Sequence, residues 1–409
     1  MGRNFSIRQV AAIVAVTVTI SVCATIFVLY SVYTSGTRYV ISFDAETVNY
    51  ENVVKFNQVR SILKKDYYQS VDENKLIEGA IYGLAESLQD PYTVYFNKEQ
   101  MQTFLEKSEG SYVGIGVTVN VDDNGLLTVI EPYEGSPAKE AGMQQGDKIV
   151  KVDGKDVTSI SDENMIISMI KGKENTAVKL TVYRPEEDRY VQFEIKRKRI
   201  KASNIKSEIL GGNIGYIKIV MFDSEIGKYF KNDLNKMLKK GIDGLIIDLR
   251  DNPGGSYEQV VEIADSLLAE GTIVYTEDRS GKREYKNSNR ASIDLPLAIL
   301  INENSASASE ILAGSVKDHK RGTLIGKRTF GKGLVQELKL LEDGSGLKVT
   351  ISRYYTPSGV CIHGTGVKPD IEVGPFEEYR NLPVSQIPRD RDIQLQSAME
   401  ALFGEIDQE

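Results

Sequence analysis

The sequence predicts an α/β core in the C-terminal half, reached through a membrane span, a helical segment and a small glycine-containing domain. Three observations predict it. From residue 200 to 375, strand-like apolar runs alternate with amphipathic helical stretches, as in a sheet covered by helices. Residues 108–199 hold a glycine-containing loop running into a strand and, further on, a short helix that turns through Gly146-Asp147 into another strand. Val10 to Tyr33 contains no charged residue and is long enough to cross a bilayer as a helix, for which about 20 residues suffice.

At 409 residues the chain has room for two or three domains. A formal charge of −8 provides no basic footing for nucleic acid. The 2 cysteines, Cys23 and Cys361, are too few for a disulfide framework or a zinc cluster. No motif implies a metal or an organic cofactor.

Residues 1–9 carry Arg3 and Arg8, which place this end on the cytoplasmic side of a span over 10–33. The apolar run exceeds the roughly 7–15 residues of a signal-peptide core, and no clear small-residue cleavage site follows, so an uncleaved anchor is expected. The bulk of the chain then lies outside the membrane. Residues 45–107 read as helical: Phe56, Val59, Ile62 and Leu63 recur at helical spacing, as do Leu76, Ile77, Ala80, Ile81 and Leu84. Asp90-Pro91-Tyr92 ends the second helix. Two readings stay open for this layer, packing on the core or forming a homodimer arm.

In the core, Ile214–Ile219 alternates like a half-buried strand, and Ile226–Lys239 is an amphipathic helix. Gly244–Leu249 is a continuous apolar strand ending in Arg250-Asp251-Asn252-Pro253-Gly254-Gly255. Asp248 and Asp251 read as strand-end and turn residues. Tyr257–Leu268 is the next helix, and Pro296–Ile301 a further buried strand. Ser280-Gly281 marks a hairpin turn. Residues 376–409 include an amphipathic helix over Ile393–Phe403, which packs on the core or joins a dimer.

Asn304–Gln336 carries the chemistry. Ser307 and Glu310 have capping-box spacing ahead of Ile311, Leu312 and Val316. A serine at such a helix start either caps it or faces free amides that stabilise a forming anion. Lys332 sits between Gly331 and Gly333, with Phe330, Leu334 and Val335 expected to wrap it in apolar groups. A lysine there loses hydration, its pKa falls, and it can act as a base. Ser-Lys pairs are a known nucleophile-base arrangement. Of the 2 histidines, His319 lies in a charged run late in a helix, and His363 is the one candidate for a rival triad. Gly254 and Gly255 read either as a tight turn or as an anion-stabilising site.

Ser305-Ala306-Ser307-Ala308-Ser309-Glu310, the Phe330–Gln336 stretch, Tyr354–Gly359 and His363–Asp370, in this order, resemble the carboxyl-terminal processing peptidases, or tail-specific proteases. The resemblance spans roughly residues 60–375. It implies a crotonase/ClpP-like α/β protease core over 200–375, an inserted PDZ domain over 108–199, and Ser307 as nucleophile, with Ser305 and Ser309 as local competitors. It further implies Lys332 as base, oriented by Gln336, and an oxyanion hole from Ala308 and one of Gly254 and Gly255. Gly114, Ile115, Gly116 and Val117 would hold the free C-terminus of a protein or peptide substrate. An inactive membrane-tethered PDZ scaffold and a different hydrolase on the same fold are the competing readings.

Overall fold

The structure, a computed structural model, describes residues 8, 10, 14, 16–26, 50–122, 124–160, 162–201, 203–289, 293–380 and 382–406. The chain divides into two compact units, residues 1–79 and 80–409. In the first, residues 16–26 are helical and helix α1 spans Tyr50–Asp66. Helix α2, Glu73–Glu86, begins here and runs into the second unit. Arg60 and Lys64, one helical turn apart on α1, both reach Glu73, at 3.2 and 2.8 Å. No side chain of α1 is buried, so its apolar stripe, Phe56, Val59, Ile62 and Leu63, stays exposed. The span expected over 10–33 lies partly outside the described residues. Among the described residues no helix is long and apolar enough to cross a membrane.

In the second unit, Asp90 closes the chain after α2 into a tight turn. Its carboxylate accepts from Tyr92 N–H (3.0 Å) and Thr93 Oγ1 (2.7 Å). Strand β1 (Val94–Phe96) then pairs antiparallel with a strand of the core more than 200 residues later, and α3 (Lys98–Ser108) follows.

The PDZ-like domain enters on β2 (Ser111–Gly114) and contains β3 (Val117–Val121), β4 (Leu127–Pro132), α4 (Pro137–Glu140), β5 (Lys148–Val152) and β6 (Lys155–Asp156). It closes with α5 (Glu163–Ile170), β7 (Ala177–Arg184) and β8 (Arg189–Lys196), and leaves on β9 (Lys198–Lys201). β2 and β9 pair with each other, so the chain enters and exits side by side, as an insertion requires. The main sheet runs β3-β4-β5-β7-β8, which leaves β3 as an edge. Of the apolar residues on α5, Ile166 and Ile170 belong to the core, whereas Met165 is exposed. Arg197 caps the end of α5, donating to the carbonyls of Met169 (3.1 Å) and Ile170 (2.8 Å).

The core contains β10 (Ile205–Leu210), β11 (Ile214–Ile219), α6 (Ile226–Lys239), β12 (Gly244–Asp248) and α7 (Tyr257–Leu267). After these come β13 (Gly271–Asp278), β14 (Arg283–Ser288), β15 (Leu297–Ile301), α8 (Ala308–Asp318) and β16 (Thr323–Gly326). The last elements are β17 (Leu334–Leu340), β18 (Gly346–Tyr355), β19 (Ile371–Glu372) and α9 (Ile393–Ile406). One sheet runs β10-β11-β12-β15-β16-β19, parallel apart from β10. A second, antiparallel sheet runs β1-β18-β13-β14, with β17 on β18. Ser280-Gly281 turns the β13–β14 hairpin, as expected.

Both faces of the parallel sheet are covered, which explains its unbroken apolar strands. Leu245, Ile247, Leu297, Ile299 and Ile301 face the cluster shared with α6, α7 and α8. Ile246, Ala298 and Leu300 face Leu395, Ala398 and Leu402 of α9. The C-terminal helix therefore packs on the core. Fully burying each of its two leucines contributes about 1.5–3 kcal/mol.

Asp248 and Arg250 carry more than the turn role read from sequence. Arg250, 1% exposed, forks to Asp248 (2.7 Å) and Asp392 (2.7 Å), joining the end of β12 to the start of α9. Burial opposes ionisation of Asp248, but the charges of Arg250 and Lys218 and the Tyr216 hydroxyl hold its carboxyl well below the usual range.

Candidate active site

Ser307 occupies the sharp turn between β15 and α8, with φ 55° and ψ −113°. This backbone is strained for a residue with a Cβ, at a cost of roughly 1–3 kcal/mol, so its surroundings must enforce it. They do so through the neighbouring serines. Ser305 Oγ donates to Leu249 O (2.8 Å), and Ser309 Oγ donates to Asn252 O (3.0 Å). Both are fully buried. Ser307 is half-buried, and its hydroxyl, which shares a capping box with Glu310, donates to no acceptor among the described residues. Among the three serines, only Ser307 keeps a hydroxyl proton with no acceptor among the described residues.

Glu310 is the hub that sequence reading took for a helix cap. It is completely buried. Oε2 accepts from the backbone N–H of Ser307 (2.9 Å) and of Lys332 (2.8 Å). Oε1 accepts from Gly331 N–H (2.7 Å) and from Thr329 Oγ1 (2.5 Å). Thr329 Oγ1 already accepts from Val367 N–H (2.7 Å), so its own proton points to Glu310. Burial pushes the Glu310 carboxyl up, while these donors pull it back. Each oxygen faces two donors, a geometry that fits a carboxylate and not a protonated acid. One carboxylate thereby fixes the serine turn against the lysine turn. Tyr354, 1% exposed, adds a second tie, its hydroxyl lying 2.6 Å from Lys332 O and 3.1 Å from Ser307 O.

The Lys332 side chain is half-buried. Burial pushes its amine below the usual lysine value, and Lys348 pushes the same way, while Glu310 and Asp90 oppose. Its apolar wall differs from the expected one. Phe330 is 58% exposed and turns away into a cleft. The ring of Tyr92 takes its place, 4.8 Å from Nζ and delivered by the Asp90 turn. No hydrogen bond joins Lys332 Nζ to Ser307 Oγ among the described residues. Gln336, expected to orient the lysine, has a buried Nε2 without a partner. The structure therefore brings Ser307 and Lys332 together through their backbones and leaves the amine on Tyr92.

The third segment is the turn after β12. Gly254 and Gly255 have φ of 103° and 140°, which disfavour any residue with a Cβ. A Cβ on Gly254 would lie 2.8 Å from Ser307 Cβ and 3.0 Å from Ala308 N, filling the space beside the nucleophile turn. Gly254 N–H is already spent on Asn252 Oδ1 (2.8 Å). The N–H groups of Gly255 and Ala308 have no acceptor among the described residues. His363, the rival base, is exposed, and its backbone packs against Gly333.

Comparison with known proteins decides the family. The peptidase family S41 pattern matches residues 213–373, a PDZ domain residues 113–196, and the N-terminal domain of activating protease CtpB residues 29–100. The carboxy-terminal processing protease CtpA of Bacillus subtilis (strain 168) is 34% identical over 373 residues, covering 91% of this chain and 78% of that protein. The chain belongs to peptidase family S41. It is a serine peptidase of the carboxyl-terminal processing type, with a PDZ domain. The Staphylococcus aureus (strain COL) protein named "Probable CtpA-like serine protease" is 37% identical over 337 residues, covering 81% of this chain and 67% of that protein. A Bacteroides fragilis structure described as an S41 protease shares the fold, with TM-score 0.54 and 17% identity over 85% of this chain and 97% of its own. The readings as an inactive scaffold or another hydrolase draw no support from these matches.

The PDZ loop of this S41 chain, expected to hold a substrate carboxylate, lies over residues 114–117. Ile115 and Gly116 lie between β2 and β3, and their N–H groups have no acceptor among the described residues. Gly114 pairs with Lys198 on β9, and Val117 opens the edge strand β3. Ile115 is 2% exposed, so its side chain belongs to the core and only its backbone is on offer. Glu310, Tyr354 and Tyr92 escaped sequence reading. The first looked like a common cap, and nothing local marks the other two as neighbours of residues 307 and 332.

Proposed function

We propose that the protein is a membrane-anchored endopeptidase that captures substrate C-termini on its PDZ domain and cleaves by a Ser307–Lys332 mechanism. The observation that carries the catalytic part is the single Glu310 oxygen shared by the backbone N–H groups of Ser307 and Lys332. With the backbones so fixed, the flexible lysine stem reaches from Tyr92 to the serine hydroxyl by rotamer change. Neutral Lys332 takes the Ser307 proton, and Oγ attacks the peptide carbonyl. Gly255 and Ala308 N–H hold the oxyanion, the amine leaves with the proton, and water resolves the acyl-enzyme. Gln336 Nε2, a buried donor without a partner, would donate to the neutral amine in that state.

The substrate tail would add to edge strand β3, with its carboxylate on the Ile115–Gly116 amides. An unfolded reporter with a free apolar C-terminus is expected to be cleaved faster than the same reporter with an amidated C-terminus, measured as kcat/KM. Equal rates would remove the tail-recognition step while leaving catalysis intact. The anchor is proposed from the uncharged run Val10–Tyr33. Cell fractionation is expected to leave the full chain in membranes after alkaline carbonate washing and to release a chain starting at residue 45. The exposed stripe on α1 is proposed as the surface of a homodimer arm.

A further inference from the structure

The strap of residues 376–392, between β19 and α9, lies outside the S41 match, yet it is fastened to the catalytic turns. Val384 N–H donates to Asp251 Oδ2 (2.9 Å). The other oxygen of Asp251 accepts from the amides of Asn302 (2.8 Å) and Asn304 (2.9 Å), at the start of the serine turn. At the strap's far end, Asp392 grips Arg250 of the oxyanion turn. One carboxylate and one guanidinium thus fix the strap to both turns.

Between the strap and the turns lies a cleft of about 750 Å³, lined by Pro253, Ala306, Phe330, Leu382 and Pro383 among others. Pro253 immediately precedes Gly254, and Ala306 immediately precedes Ser307, so the cleft adjoins both turns of the proposed site. Phe330 is held by its N–H to Ser305 O (3.0 Å), but its side chain is 58% exposed, and that of Leu382 is 42% exposed. Two large apolar side chains on separate segments therefore open into one concavity. Of the charges around them, Asp251 has three donors and Arg380 pairs with Glu377 (2.8 Å), while Glu303 makes no ion pair among the described residues.

We propose that this cleft is the specificity pocket for a large apolar substrate side chain next to the scissile bond, and that Leu382 and Phe330 set that preference. The inference rests on the Ser307 endopeptidase reading. The test digests reduced, carboxymethylated casein with the full chain in mild detergent and sequences the new termini by mass spectrometry. The wild-type protein is expected to enrich Leu, Met and Phe at one position beside the cut. Leu382→Ala should lower that enrichment about 10-fold, the scale of a lost apolar contact of this size. Leu382→Lys, an exposed substitution that leaves the fold intact, should shift the preference to acidic residues. For matched peptides, the loss should appear as a raised KM for the apolar one, with kcat held. Cut-site profiles that are identical in all three proteins, or a wild-type profile with no apolar preference, overturn the proposal. Absence of cleavage by the wild type, or cleavage undiminished by Ser307→Ala, instead overturns the endopeptidase reading beneath it.

Discussion

Ser307→Ala and Lys332→Ala are each expected to lower cleavage of an unfolded substrate by roughly 10⁴-fold or more, the scale seen when one member of a coupled nucleophile-base pair is lost. The double variant should be hardly worse than either single one, because the two groups act as a unit. Folding should survive, since the Ser307 hydroxyl donates to no acceptor and Lys332 makes no ion pair among the described residues. Lys332→Arg keeps the charge and the cation over Tyr92 but cannot release its proton near neutral pH, so it too should be inactive. The direction with pH follows from burial. The active base is the neutral amine, and its pKa in the fold lies below the usual lysine value of 10.5. kcat/KM should therefore rise with pH through that lowered pKa and level off above it. Removing Lys348, whose charge also depresses Lys332, should shift the rise to higher pH. A Lys348→Met profile displaced to lower pH would contradict this.

Glu310 is expected to give the second-largest effect, on stability and activity together. Glu310→Ala strands the N–H groups of Ser307, Gly331 and Lys332 and the Thr329 hydroxyl. Each unsatisfied buried donor costs about 1–3 kcal/mol, with water entering the cavity offsetting part. A net loss of at least about 3 kcal/mol is expected in denaturant unfolding. Glu310→Gln preserves shape but turns an NH₂ group towards two N–H donors, so the turns separate. Activity should fall about 10²–10³-fold with a smaller loss of stability. Wild-type activity in Glu310→Gln would show that the carboxylate does not position the pair.

Much of this site was legible because its chemistry is local in sequence. Ser307 announces itself by small neighbours ahead of a helix, and Lys332 by its flanking glycines. The strands were legible because sheets covered on both faces leave continuous apolar runs such as Leu245–Ile247 and Leu297–Ile301. What stayed hidden depends on contacts between distant segments. Phe330 was expected against Lys332 by adjacency, but Gly331 between them has φ 92°, so the chain turns there and the two side chains part. Tyr92 comes from 240 positions upstream in the sequence because β1 pairs with β18. The proposal of Gly255 over Gly254 rests on one hydrogen bond, from Gly254 N–H to the Asn252 side chain, which no spacing reveals. Asp248 looked like a strand-end residue because Asp392, the far partner of the Arg250 that pairs with it, lies beyond the core.

The most direct test of the account is the rate at which a fluorophosphonate acylates the protein, followed against pH, with the modified residue located by peptide sequencing. The account predicts labelling at residue 307, with a rate that climbs through a single ionisation below 10.5 and a Lys332→Met variant that labels slowly at every pH. Label on Ser305 or Ser309, or a Lys332→Met variant that labels as fast as the wild type, would contradict it.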